Sequence, residues 1–177
     1  MSMTPFWIQT QGAGLAQGDM LLQCPVPIFS SESLTSDSLE TPTQLAMSDV
    51  DLIIVTQSCD LENKKASFVA CCPIHTIDAF EHSNPAFKTK GRWEEVRKGR
   101  IEGLHLLASP DAPENSRDAR VVDFGQIISL PIEFVQQFAE GLGVRWRLQS
   151  PFLEHFSQSL ARFFMRVGLP SSIPPFK

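Results

Sequence analysis

The sequence predicts a single α+β domain over residues 1–177, an antiparallel β part (residues 15–130) followed by packed C-terminal helices (131–170). Three observations lead there. Short aliphatic or alternating runs recur between clusters of turn-forming residues, the pattern of an antiparallel β domain. Phe152, Phe156, Leu160, Phe163, Phe164 and Val167 recur at helical spacing near the end of the chain. Finally, 177 residues of which 42% are hydrophobic suffice for one buried core, and neither an internal repeat nor a dividing linker interrupts them.

Gly18-Asp19 precedes a first strand at Met20-Leu21-Leu22, which the prolines of Cys24-Pro25-Val26-Pro27 should end. Residues 30–49, rich in Ser, Thr, Asp and Glu, read as a long surface loop. The run from Asp51 to Gln57 has a continuous aliphatic centre and suits a strand buried on both faces. After a turn at 60–65, Ala66 to Cys72 should pair with it as a hairpin stopped by Pro73. GRWEEVRKGR (91–100) fits a short helix showing Trp93 and Val96. IEGLHLLAS (101–109) and ARVVDFGQIIS (119–129) follow as two strands. Pro131 then opens a helix through Ala139 that Gly141 should cap, and Ser150-Pro151 starts the last helix, stopped by Gly168 and Pro170.

A net charge of -5 argues against non-specific coating of nucleic acid, which needs many cation–phosphate contacts, but leaves room for a local basic patch. No apolar run approaches the roughly 20 residues of a membrane-spanning helix, and MSMTPFWIQTQG lacks the order of a signal peptide. A cytoplasmic protein with reduced thiols is expected, because Cys24, Cys59, Cys71 and Cys72 are too few and too unevenly spaced for a disulfide framework.

The stretch Thr56-Gln57-Ser58-Cys59-Asp60 closes the aliphatic run with small polar groups. In a strand Gln57 and Cys59 would share one face, and Gln57, Ser58 and Asp60 could line a pocket with the thiol. Cys59 carries two readings: a nucleophile with Asp60 nearby and His105 as base, or a small buried hydrophobe beside an Asx turn. No metal is expected. In the hairpin Cys72 would lie opposite Ile53, roughly 20 Å from Cys59 at the rise of a strand, and the adjacent Cys71 and Cys72 face opposite ways. P-loop, G-x-S-x-G, H-E-x-x-H and dinucleotide motifs are missing from the sequence, and no cofactor is expected.

A basic cluster around Trp93, including Arg97, and the repeat of arginine with tryptophan in Arg145-Trp146-Arg147 combine cations with aromatic planes. That combination suits single-stranded RNA, since cations hold phosphates and rings stack on unpaired bases; a solvated helix with its tryptophan in the core is the competing reading. The phenylalanine-rich last helix offers an apolar face to a protein partner.

Gly18-Asp19 before the first strand, the long loop, and the aliphatic strand from Asp51 to Thr56 resemble the PemK/MazF-like toxin family. The resemblance implies a compact SH3-like barrel and action on RNA. Only Gly18, Asp19 and Thr56 or Ser58 match; Val50-Asp51 stands where the family has Arg-Pro, and no arginine precedes Arg92. The TQSCDL core is also similar to bacterial proteins of toxin or defence association that have no assigned activity. The expected function is a toxin-antitoxin or phage-defence module that binds or cleaves single-stranded RNA. The alternatives are a cysteine-dependent hydrolase using Cys59 and His105, and a non-catalytic interaction subunit.

Overall fold

The computed structural model describes residues 4–28, 46–89 and 91–165. Its strands are β1 (Trp7–Gln11), β2 (Met20–Ile28), β3 (Ala46–Ile54), β4 (Phe68–Thr76), β5 (Leu104–Leu107), β6 (Arg120–Asp123), β7 (Ile128–Pro131) and β8 (Val144–Leu148). Its helices are α1 (Ser58–Glu62), α2 (Ile77–Ser83), α3 (Arg92–Arg97), α4 (Ile132–Leu142) and α5 (Phe152–Phe164).

The architecture follows from β3. Leu52, Ile53 and Ile54 are completely buried, yet alternate residues point to opposite faces of a sheet, so both faces must be covered. Leu52 and Ile54 pack with Val135 and Ala139 of α4, whereas Ile53 packs with Phe124, Leu148 and Phe156 of α5. One helix therefore covers each face. The main sheet is antiparallel in the order β2-β3-β4-β6-β5, with β7 also on β4, and β1 pairs with β8 in a separate ribbon. Hydrogen bonds from Gly18 N to Ile54 O and from Leu148 N to Gly18 O tie that ribbon to the sheet.

The fold is α+β and antiparallel, but among the described residues the sheet does not close into a barrel: β2, β5 and β7 each have a single neighbouring strand in it. The expected pairing of Cys72 with Ile53 is present. The tight turn between those strands is instead helix α1: Gln57 stays extended at its N-cap, Asn63 Nδ2 donates to Cys59 O at 2.6 Å, and Leu61 tucks into the core. Cys59 consequently has no strand partner.

Strands also run further than their prolines suggested. Pro25 and Pro27 lie within β2, an outer strand where absent N–H groups facing the open edge cost no ladder bond. β3 begins at Ala46, inside the expected loop, and residues 29–45 of that loop lie outside the described residues. β4 continues through Pro73, which sits where β7 ends and β6 begins as its neighbour. The expected strand at 119–129 breaks into β6 and β7 because Phe124 is buried and Asp123 Oδ1 accepts from Gly125 N at 2.9 Å, a local turn. α4 starts one residue after Pro131 and passes Gly141 to end at Gly143, whose φ of 70° suits glycine. α5 has the expected apolar stripe; Val167, Gly168 and Pro170 fall outside the described residues.

Candidate functional site

Gly18-Asp19 and Arg145-Trp146-Arg147 form one structural unit. Gly18 adopts φ of 85°, and a Cβ there would stand 2.9 Å from Leu148 Cβ, so only glycine fits. That turn buries the Asp19 carboxylate completely. Arg145 Nε donates to Asp19 Oδ2 at 3.0 Å and its other nitrogens bond Gly12 O and Gly14 O. Arg147 donates from Nε to Oδ1 and from an NH2 nitrogen to Oδ2 at 2.8 Å. Ala16 N is a fourth donor to the carboxylate. Arg145, expected to contact RNA, is thus spent inside the protein, with only 1% of its side chain exposed; Arg147 keeps 25%. Their sequence pattern of cation and ring arises because alternate residues of β8 turn inward to one buried acid.

The polar stretch after β3 is partly structural too. Thr56 Oγ1 accepts from Ala70 N at 2.7 Å, and Ser58 Oγ accepts from Gln17 N at 3.1 Å, fixing the loop before Gly18. Gln57 and Cys59 are exposed, and the thiol lies 3.7 Å from Gln57 Oε1 and 3.9 Å from Asp60 Oδ1. No contact joins it to His105 among the described residues: β5 stands three strands from β3 in the sheet, and His105 packs on Phe124 and Phe156 in a cleft that Cys59 does not line. Burial pushes the other three thiols up, Cys24 to about 11 and Cys72 to about 12, with Cys71 higher still.

Trp93 docks rather than standing free. Its ring contacts Phe80 and Phe87, and Nε1 donates to Glu81 Oε1 at 2.8 Å. Arg117 and the Trp93 indole hold the Glu81 carboxyl well below the usual carboxylate range. Arg97 donates to both oxygens of Glu94, at 2.7 and 2.6 Å, while remaining mostly exposed.

What the fold does bring together is His105, Arg97 and a face of α5. A cleft of about 360 Å³ opens between β5, the end of α3 and α5. His155, Gln158, Ser159 and Arg162 line one side, spaced three and four residues apart so that one helical face presents them all. Opposite lie His105, Arg97 and Lys98. Burial, and then the neighbouring His155, lower the His105 pKa to about 4, so near neutrality its imidazole is uncharged and retains an acceptor nitrogen. Arg97 and Lys98 share the Glu94 carboxylate, Glu102 also lines the cleft, and Arg162 has no ion pair among the described residues. Among the described residues, Arg97, Lys98 and Arg162 face two carboxylates, Glu102 in the lining and Glu94 beside it, a local positive surplus on a chain of net charge -5. His155 escaped sequence reasoning because a lone histidine on an amphipathic helix carries no motif; the stripe 155, 158, 159, 162 was the available signal.

Among the described residues no group of three His, Cys, Asp or Glu side chains is arranged to hold a metal, and no helix is long and apolar enough to cross a membrane. No family model, curated protein or solved structure matches the chain.

Proposed function

We propose that the protein binds the sugar–phosphate backbone of single-stranded RNA in the His105–His155 cleft, as a cytoplasmic module of the toxin or defence type. The observation that carries this reading is the convergence of two imidazoles and Arg162, which has no ion pair among the described residues, on one cleft, with Arg97 and Lys98 at its rim. Arginine matches a phosphate with a fixed fork of donors, and imidazoles exchange hydrogen bonds with ribose hydroxyls. The resemblance of Gly18, Asp19 and the Asp51–Thr56 strand to the PemK/MazF-like family supports RNA as the polymer, with the contact surface moved from Arg145 to α5. Four free thiols accord with a reducing compartment. The same two imidazoles are suited to move the ribose 2′-hydroxyl proton if the strand is cut, and the products would carry a 2′,3′-cyclic phosphate and a free 5′-hydroxyl.

Anisotropy of a fluorescent oligouridylate, followed across a salt series, tests the binding. Retention should weaken with salt, and Arg162→Ala should lower the slope of log K against log salt by about one while Arg92→Ala leaves it unchanged. No binding at low salt, or binding indifferent to Arg162, removes the proposal. Gel analysis of the same oligomer reports whether it is cut.

Exposed Phe164 and Met165 at the end of α5 favour a second reading, an interaction subunit. In that case Met165→Glu would abolish association with a partner protein, and Arg162→Ala would have no effect on RNA retention.

A further inference from the structure

A second cleft, also about 360 Å³, adjoins the first, and the two share Arg97 and Leu106. Its character is different. Trp93, Ile77, Leu107, Ala108 and Pro113 make its walls largely apolar, and the exposed Ser116 and Arg97 stand among its few polar groups. Trp93 is held rigidly there by its bond to Glu81 and its contacts with Phe80 and Phe87, so an aromatic surface is presented without ordering cost on binding. Arg117 reinforces the wall: it pairs with Glu81 at 2.8 Å and with Asp78, locking the turn at Ser116–Asp118 onto α2.

We infer that this apolar cleft is a nucleobase pocket, taking one unpaired base of the strand whose phosphate lies in the adjoining His155–Arg162 cleft. The inference rests on the binding reading above and deepens it. A volume of this size, walled by hydrophobic and aromatic groups with a few polar ones, is that of a small-ligand site. A flat heteroaromatic base fits such a wall because stacking needs only a π-face, whatever the base. The shared residues Arg97 and Leu106 make the two clefts neighbours, and so a base and the phosphate attached to its ribose can occupy them together, with Arg97 between. The bound strand would then cross α3 and β5, away from the buried Asp19 cluster.

The test compares the full-length protein's affinity for an oligouridylate and for an abasic ribose-phosphate oligomer of equal length and charge. The base-bearing oligomer should bind about tenfold more tightly or better. Ser116→Trp, at an exposed position on the cleft, should cut that ratio towards one by weakening the base-bearing oligomer; Arg92→Ala, at a residue that lines neither cleft, should preserve it. Equal affinity for the two oligomers in the native protein would overturn the base pocket and leave the phosphate site standing. Failure to bind either oligomer would overturn both, and an undiminished ratio in a folded Ser116→Trp protein would place the base elsewhere and reject the pocket.

Discussion

Removing the charge of Asp19 should cost a large part of the protein's stability. Its carboxylate is completely buried and takes donors from Ala16 N, Arg145 Nε and two nitrogens of Arg147. In Asp19→Asn one acceptor oxygen becomes a donor facing guanidinium nitrogens, and Arg145, whose side chain is 1% exposed, keeps a buried charge with no counter-ion. Breaking a buried pair in this way costs about 3–5 kcal/mol, out of the roughly 5–15 kcal/mol that holds a typical domain. Arg147→Met should cost less, about 1–2 kcal/mol, because Asp19 retains Arg145 and the Arg147 side chain is 25% exposed to begin with. Urea unfolding with circular dichroism measures both. At a slope of about 2 kcal/mol per molar, Asp19→Asn should move the midpoint down by about 2 M and Arg147→Met by less than about 1 M. A shift for Asp19→Asn no larger than that for Arg147→Met would refute the view that the acid neutralises two arginines as a structural core.

Three further outcomes are expected. Gly18→Ala should destabilise by about 3 kcal/mol, from a strained left-handed backbone plus the clash with Leu148, and a loss below about 1 kcal/mol would count against the close approach. Iodoacetamide at pH 8 should label Cys59 fast and Cys24, Cys71 and Cys72 slowly in the native protein, since only Cys59 is exposed and burial raises the other thiols; fast labelling of a second site would contradict the core assignment. The third concerns pH. With His105 near 4 in the folded state against 6.5 unfolded, the unfolded chain takes up a proton first as pH falls, so stability is full above about 6.5 and lost on descent towards 4. The unscreened cost is about 3 kcal/mol, and water in the cleft reduces it to about 2. His105→Phe should therefore lose that much less stability than the native protein over this window, and parallel pH profiles would disprove the burial of a neutral imidazole.

Much of the fold was legible because its strongest signals were physical necessities. Four aliphatic residues in a row at 52–55 required a strand covered on both faces, and the pairing of Ile53 with Cys72 followed from the length of the connection. The last helix was legible from its phenylalanines. The turn at 60–65 was misread because Asp60, Asn63 and Lys64 have turn chemistry, while Leu61 has a buried slot that makes a helical turn worthwhile. β1 and β8 were missed since they pair with each other across more than a hundred residues, and local pattern carries nothing of that partnership. The site misled for the same reason. Arg145 and Arg147 looked like a basic surface until Asp19, far off in sequence, was placed beneath them. His105 was legible as a residue of a strand at 101–109 but not as the neighbour of His155, because the packing of α5 on β6 and Phe124 joins the two.

The four histidines, His75, His82, His105 and His155, give a short imidazole spectrum that reports directly on where RNA binds. On titration with oligouridylate, the imidazole resonances of His155 and His105 should move together while those of His75 and His82 stay in place. Movement of His82 alone, or of no imidazole at a saturating concentration, would show that the strand does not enter the cleft between β5 and α5.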